Sequence, residues 1–336
     1  MPAENLPPAR FTNFVWWSSE QLDSALKARI PLYIGRVPLE GNLQDTILTT
    51  LKAMLQEKGV TATVVAVPVV DLGVTKSISF SIDSPPVRIH SLTLAQASPA
   101  MQAELDKAVK AQVGQPFDQG TTLSTITDLL TRIYRNDGYL DISVSDLTHS
   151  SPQITPTGVD LDLTATISEG EPYRLSQLVW PGSDVMSTAD FNKQVKLKPE
   201  DIASQSALRQ SLTPLANAYF AKGFQDAKVQ APATLDRATH HVGYTIRVVP
   251  GDQYHLRSVK AVGLSDKQKK DFDSAWRMHP GDIYDVTYVT TFLNKNTALQ
   301  SLNEYSATYK ASSDHDTHLV DLVLTFVKGG TLINVN

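Results

Sequence analysis

The chain has 336 residues, 30 Lys+Arg against 35 Asp+Glu for a formal net charge of −5, and no cysteine. That length exceeds what one core usually serves. The charge and the lack of a Lys/Arg cluster speak against nucleic-acid binding, and the absence of thiols excludes disulfides, thiolate metal sites and cysteine nucleophiles.

The N-terminus, Met1-Pro2-Ala3-Glu4-Asn5, has neither a basic n-region nor an apolar h-region. That fits a cytosolic protein and equally a chain whose signal peptide has been removed. Residues 11–17 are apolar enough for an opening strand, and residues 19–28 and 43–57 carry helical spacing. Lys58-Gly59-Val60 ends the second helix, and residues 63–69 and 78–82 read as closing strands. The most apolar stretch, residues 60–70, is too short to span a bilayer, carries Pro68 and stops at Asp71.

The same order then recurs more clearly. Residues 87–95 alternate as a strand, with Val87, Ile89, Leu92 and Leu94 apolar. Ser98-Pro99 fits an N-cap with proline at the first helical position, and Met101, Leu105, Ala108 and Val109 mark one face of a short helix. Gly114-Gln115-Pro116-Phe117-Asp118 breaks it. Leu123, Ile126, Leu129, Leu130, Ile133 and Tyr134 then stripe a second helix. Gly138 stands where a left-handed cap belongs, and strands follow at 139–147 and 159–167.

In the third stretch, residues 173–180 open, 187–195 form the first helix and Lys198-Pro199-Glu200-Asp201 the break. Leu208, Leu212, Leu215 and Tyr219 carry the second helix to Gly223, and strands lie near 227–233 and 242–249. In the fourth, residues 255–262 open, 267–277 are helical and His279-Pro280-Gly281-Asp282-Ile283-Tyr284 break the pattern. A long helix at 287–302 precedes strands near 305–310 and 319–327.

Gly59, Gly138 and Gly223 therefore punctuate the chain at intervals of roughly 80 residues, the size of a small domain. A second mark is interleaved: Glu169-Gly170-Glu171-Pro172-Tyr173 is answered by Pro250-Gly251-Asp252-Gln253-Tyr254, and Pro85-Pro86-Val87-Arg88-Ile89 is a worn version, with a joint at Ser84-Pro85-Pro86. The fold class expected is α+β. Four tandem β-α-α-β-β modules at 10–84, 85–170, 171–251 and 252–328 each carry a three-stranded mixed sheet covered by two helices, joined into an elongated array.

This order, with Gly114-Gln115-Pro116-Phe117 between the helices, Asp137-Gly138-Tyr139 after the long one and Glu-Gly-Glu-Pro-Tyr at the joint, resembles the polypeptide-transport-associated (POTRA) domain family. The resemblance covers nearly the whole chain and is weakest in the first stretch. It implies the periplasmic region of an outer-membrane protein assembly or translocation factor. Such a region binds unfolded or partly folded outer-membrane or secreted polypeptides, or periplasmic accessory proteins, and passes them to a C-terminal membrane β-barrel. The family's barrel does not follow Val327-Lys328-Gly329-Gly330, so an excised periplasmic region is expected, with a barrel-less envelope scaffold as the alternative.

If the first strand of each module lies beside the third, the second is an edge with unpaired N–H and C=O groups. An extended client would satisfy those groups by strand addition. The candidate edges are Thr63, Val64, Val65, Ala66 and Val67, ended by Pro68; Ile142, Ser143 and Val144; and Lys228, Val229 and Gln230. The same valines would also suit packing beneath their own helices. The glycines at 59, 138 and 223 are expected to be structural caps. Gly114, Pro116 and Phe117 form the interhelical turn, and Gly170, Pro172, Tyr173, Gly251 and Tyr254 the joints. His240-His241 and Asp314-His315-Asp316-Thr317-His318 fall in a hairpin, where a polar turn accounts for them without a metal. Trp180 and Trp276 are expected to pack, and alternation would send either Trp16 or Trp17 outward. No nucleophile elbow, phosphate loop, dinucleotide fingerprint or zinc-protease motif is present, so no catalytic residue and no cofactor are expected.

Overall fold

A computed structural model describes residues 6–71, 73–295 and 305–328. The chain divides into two compact units, Met1–Glu171 and Pro172–Asn336.

In the first unit, β1 (Ala9–Thr12) is followed by α1 (Ser19–Arg29), α2 (Leu43–Glu57), β2 (Thr63–Asp71) and β3 (Val74–Ser84). Ser18 starts α1 through a capping box with Gln21, satisfying two donors that a helix start leaves orphaned. β3 lies centrally, parallel to β1 and antiparallel to β2. Ile78 and Phe80 from β3 sink into a core with Leu22, Leu26, Ile47 and Leu51. Each such side chain contributes roughly 1.5–3 kcal/mol by leaving water.

The run then repeats as β4 (Val87–Ala95), α3 (Gln102–Gln112), α4 (Thr122–Asn136), β5 (Ser143–His149), β6 (Gln153–Thr155) and β7 (Gly158–Ser168). β7 is central, parallel to β4, and carries antiparallel β5 and the short β6 on its other side. Val159, Leu161, Leu163, Ala165 and Ile167 are at most 1% exposed, the alternation expected of a strand buried on one face.

The second unit opens with β8 (Arg174–Val179), α5 (Thr188–Gln194), α6 (Gln205–Phe220), β9 (Lys228–Gln230), β10 (Ala233–Asp236), β11 (His241–Thr245) and β12 (Arg247–Val249). The run continues with β13 (His255–Val262), α7 (Asp266–Ala275), α8 (Val286–Lys295), β14 (Tyr305–Asp314) and β15 (Leu319–Lys328). Again the first and third strands are parallel and the second and third antiparallel: β8-β11-β10 and β13-β15-β14. The chain is therefore mixed α+β, with small mixed sheets and helix pairs in the order read from the sequence.

Several local expectations are corrected. The opening strand of the first run is Ala9–Thr12 and not 11–17. Asn13 takes φ +67° and turns the chain, so Phe14, Val15, Trp16 and Trp17 leave the sheet and strand alternation does not sort the two tryptophans. Trp16 packs against both cores of the unit, and Lys58 Nζ lies 5.6 Å from the Trp17 ring. Ser98 makes no side-chain cap; Pro99–Met101 form a 3₁₀ turn before α3, and the Ser98 amide donates to Glu169 instead. Residues 139–142 form a turn, so the strand expected from 139 starts at Ser143. The closing strands of the third run are each broken in two, with Pro232 between β9 and β10. The far part of the long helix expected at 287–302, residues 296–302, lies outside the described residues.

The interhelical breaks are not free loops. Phe117 donates to Val87 O and Gly114 to Ile89 O, while Ile89 donates to Gln115 O. The same three-bond pattern joins Ala203, Glu200 and Asp201 to Tyr173 and Leu175, and Tyr284, Gly281 and Asp282 to Tyr254 and Leu256. In the first run Val37 donates to Pro7 O and Ala9 to Gly35 O. Each first strand therefore has its outer edge covered at its start.

Candidate binding edge

With the first strand partly covered and the third central, the second strand is left paired on one side in the sheets described. In β2, Val64, Ala66 and Pro68 pair with Ile82, Phe80 and Ile78 on the core face, while Val65, Val67 and Val69 pair with Ser81, Ser79 and Ser77. Val64 is buried at 4%, but Val67 is 53% exposed, and Val69 and Val70 on β2 and Val74 on β3 are comparably open. Single exposed valines need no explanation; four on one hairpin form a patch. Pro68 does not end this strand, as the sequence suggested. β2 continues to Asp71, because proline is tolerated where a strand lies at an edge.

The other two singled-out segments are poorer edges. Ile142 is buried in the turn before β5 and belongs to the core, leaving only Ser143 and Val144 in the strand. A register shift between Ser145 and Thr148, with Asp146 at φ +50°, kinks that edge. Lys228, Val229 and Gln230 form a three-residue strand on β12. Sequence reading passed over β14, whose ten residues pair with β15 without a register shift and on that side only among the described residues. Its signal was present in the alternation of Tyr305, Ala307, Tyr309 and Ala311, obscured by Lys310 and the serines.

The cap positions share one geometry. Gly59, Gly138 and Gly223 have φ of +82°, +86° and +82°. Behind them Val60, Tyr139 and Phe224 donate to Leu55, Tyr134 and Tyr219, while the glycine amides donate to Gln56, Arg135 and Phe220. That is the two-bond Schellman closure, in which a Cβ would be strained. Gly114, Gly170 and Gly251 are also left-handed, and Pro116 bridges Arg88 while Phe117 is buried. Pro172 is half-buried, and Tyr173 and Tyr254 are each 1% exposed.

Sequence reading missed what surrounds these tyrosines. Asp236 and Asp314 each accept from the amides two and three residues on, folding matching Asp-x-x-Thr-His turns. His240 and His318, at φ +52° and +54°, set their rings edge-on to Tyr173 and Tyr254 at 5.8 and 5.6 Å. His315 Nδ1 is 2.7 Å from the Tyr254 hydroxyl. Burial, and then the Asp226 carboxylate, push the Tyr254 phenol up. Among the described residues no three His, Asp or Glu side chains converge in a way that could hold a metal. The imidazoles are spent on aromatic packing and turn hydrogen bonds, with His241 turned to Thr239 O and Glu200.

Glu169 is a second missed residue. Its carboxylate accepts from the Ser98 amide at 2.7 Å and the Tyr134 hydroxyl at 2.6 Å, tying β7 to the start of the 3₁₀ turn and to α4. Burial raises its pKa, but these hydrogen bonds outweigh that and hold the group below its ordinary value. A third motif recurs at bulges: Ser91 and His90 bond Asp162, and Ser258 and Arg257 bond Asp321. Arg257, with Ser258, holds the Asp321 carboxyl at about 2. Trp180 and Trp276 are buried, their indole N–H groups donating to Met186 O and Met278 O. Asp118 accepts from Gly120 and Thr121 at the start of α4, a capping arrangement. No helix among the described residues is long and apolar enough to cross a membrane.

Residues 173–251 match the family model described as POTRA, surface antigen variable number repeat. The chain is 25% identical over 199 residues to a Treponema pallidum (strain Nichols) protein described as an outer membrane protein assembly factor. That alignment takes in 59% of this chain and 24% of the relative, so the chain spans about a quarter of the relative's length. Among solved structures it is similar to POTRA3-5 of Haemophilus influenzae BamA, with a TM-score of 0.54 and 16% identity over 72% of this chain and 97% of that one. At that identity the likeness speaks for the fold.

Proposed function

We propose that this chain is an array of POTRA domains, a reading supported by the family match at residues 173–251, and that it is the periplasmic region of an outer-membrane protein assembly or translocation factor. Its work is non-covalent. It receives unfolded or partly folded outer-membrane or secreted polypeptides, or accessory proteins, and presents them to a membrane β-barrel. The four stretches 10–84, 85–170, 171–251 and 252–328 act as successive receiving modules, with Gly59, Gly138 and Gly223 as structural caps and the Tyr173 and Tyr254 joints fixing the hand-over.

One observation carries the reading: among the described residues β2 is hydrogen-bonded on one side only, and it exposes Val67, Val69 and Val70 along an uncharged run that lasts until Asp71. Main-chain bonds to such an edge are largely indifferent to sequence, which suits a protein with many clients. The test uses the absence of native cysteine. Single cysteines at Val65, Val67 and Val69 should crosslink to a cysteine-bearing extended client, and one at Ser79 on the covered β3 should not. Equal capture at all four positions, or capture at none, overturns strand addition at β2.

A further inference from the structure

Exposed aliphatic side chains are not spread evenly along the chain. Leu32, at 81% exposure, stands out with Ile34 and Leu39 from the break before α2, and Val70 and Val74 from the hairpin joining β2 to β3. The break is pinned beneath them: Tyr33 and Val37 are buried, the Tyr33 hydroxyl donates to Asp23, and Gln44 donates to the Pro38 carbonyl. Pro8 links the two segments across the sheet. It bridges Arg36 of the break, and its carbonyl accepts from the Ile78 amide of β3, next to Ser77, which pairs with Val69. With neighbouring strands about 4.8 Å apart, break and hairpin flank one end of the sheet at a separation of roughly 14 Å. Cations stand among them. Ala9 and Phe11 turn to the core, so Arg10 lies on the outer face of the sheet; Arg36 shares that face as the partner of Pro8, and Lys76 is exposed at the bulge where β3 leaves the hairpin. Arg36 donates to Leu6 O, and none of the three forms an ion pair among the described residues. Of the carboxylates nearby, Asp23 is engaged by Lys27 and Tyr33, leaving Asp71 and Glu40 against three cations in a chain whose net charge is −5.

We propose that this corner of the first run docks on an anionic phospholipid surface, with Leu32, Ile34, Val70 and Val74 dipping among the acyl chains and Arg10, Arg36 and Lys76 meeting the phosphates. An aliphatic patch this dense marks an interaction surface, and aliphatic tips ringed by cations match a boundary that is apolar within and negative at its face. The clefts of about 550 and 270 Å³ that could seat a partner's side chain lie elsewhere, beside α7 and beside the start of α4. The matching hairpins of the second unit are the polar Asp-x-x-Thr-His turns, so the valines are a property of this hairpin and not of the repeated fold. The proposal does not rest on strand addition at β2. That edge offers main-chain groups along residues 65–67, whereas this corner offers side chains beyond Pro68.

The test labels the full chain with bimane at single cysteines, Val70→Cys, Val74→Cys and, as a control on the exposed side of α2, Lys52→Cys. With vesicles of phosphatidylglycerol and phosphatidylethanolamine, the labels at 70 and 74 should blue-shift as they leave water, and the label at 52 should not. Vesicles of phosphatidylcholine alone should leave all three unchanged, and added salt should weaken the anionic response. Arg10 and Lys76 are exposed, so Arg10→Gln combined with Lys76→Gln should keep the fold and lower affinity for the anionic vesicles about thirtyfold. The proposal is overturned if the labels at 70 and 74 do not shift, if the label at 52 shifts equally, if phosphatidylcholine serves as well, or if the double variant binds as tightly. A shift without vesicles that grows with protein concentration would make the occupant a second copy. A shift with the extended client and none with vesicles would assign the valines to the β2 edge. Either outcome overturns lipid docking.

Discussion

Replacing Gly223 by alanine sets two costs against each other that a matched variant can separate. Gly223 caps α6 at φ +82°, and a methyl there would stand 2.8 Å from Ile283 Cγ2 and 2.8 Å from the Tyr254 carbonyl oxygen. Gly59 caps α2 at the same φ, but its methyl would find its nearest neighbour, Ile154 Cδ1, at 3.6 Å, an ordinary contact. Both variants carry the left-handed penalty of about 1–2 kcal/mol, and both gain the same few tenths from a stiffer unfolded chain. Only Gly223→Ala must also push aside a backbone carbonyl and a side chain, for about 1–3 kcal/mol more. Hydrogen exchange read by mass spectrometry reports each compact unit against its own wild type. Amides of the second unit in Gly223→Ala should lose about 5- to 150-fold more protection than those of the first unit in Gly59→Ala. Equal losses would show that the contact from α6 across to Tyr254 and Ile283 has no energetic weight, and would refute the packing argument.

Three further outcomes follow from the same geometry. Glu169 has a depressed folded pKa, so the stability it supplies is present above the ordinary carboxylate range and lost as pH falls through the folded value; urea midpoints of Glu169→Gln should lack that acid-side loss, and an unchanged pH profile would contradict it. Arg257→Ala should move the Asp321 carboxyl from about 2 toward its ordinary value of 3.8, read by carboxyl-carbon NMR titration, and no movement would show that Ser258 alone holds it. Val67→Asp, on a side chain 53% exposed, should abolish client crosslinking at β2 while shifting stability by no more than about 0.5 kcal/mol; capture at wild-type yield would count against that edge.

Where a segment's periodicity and its burial agree, the sequence was sufficient. Helix 43–57 and strands 87–95 and 255–262 were read with the bounds they have. Legibility failed where backbone pairing ignores side-chain pattern. The breaks around Pro116, Ile202 and Ile283 look like loops because proline, glycine and acidic residues interrupt them, yet their amides and carbonyls cover the first strands. The apolar run at 14–17 reads as strand, and a single left-handed Asn13 removes it from the sheet. The candidate site was half legible. The β2 valines stood out as an uncharged run, but their continuation past Pro68 depends on the strand being an edge, which only the pairing reveals. The Tyr–His contacts and the Glu169 clamp join residues far apart in number; the clue to the former was a repeated Asp-x-x-Thr-His string, and no local pattern marked the Ser98 and Tyr134 partners of Glu169.

The turn after β1 has a bearing on how such chains can be cut and recombined. Val15 is 4% exposed and belongs to the core built by the second run, and Asn13 Oδ1 accepts from the Gln119 amide at 2.9 Å. The line drawn by element order at residue 85 therefore does not sever two independent pieces. A fragment starting there would leave a socket where Val15 sits and strip the loop before α4 of a bond. Shuffling at that point would have to carry the first seventeen residues' worth of plug along with the module it seals. The seam between neighbouring repeats in this unit is a shared part, and exchange would be tolerated only in blocks that respect it.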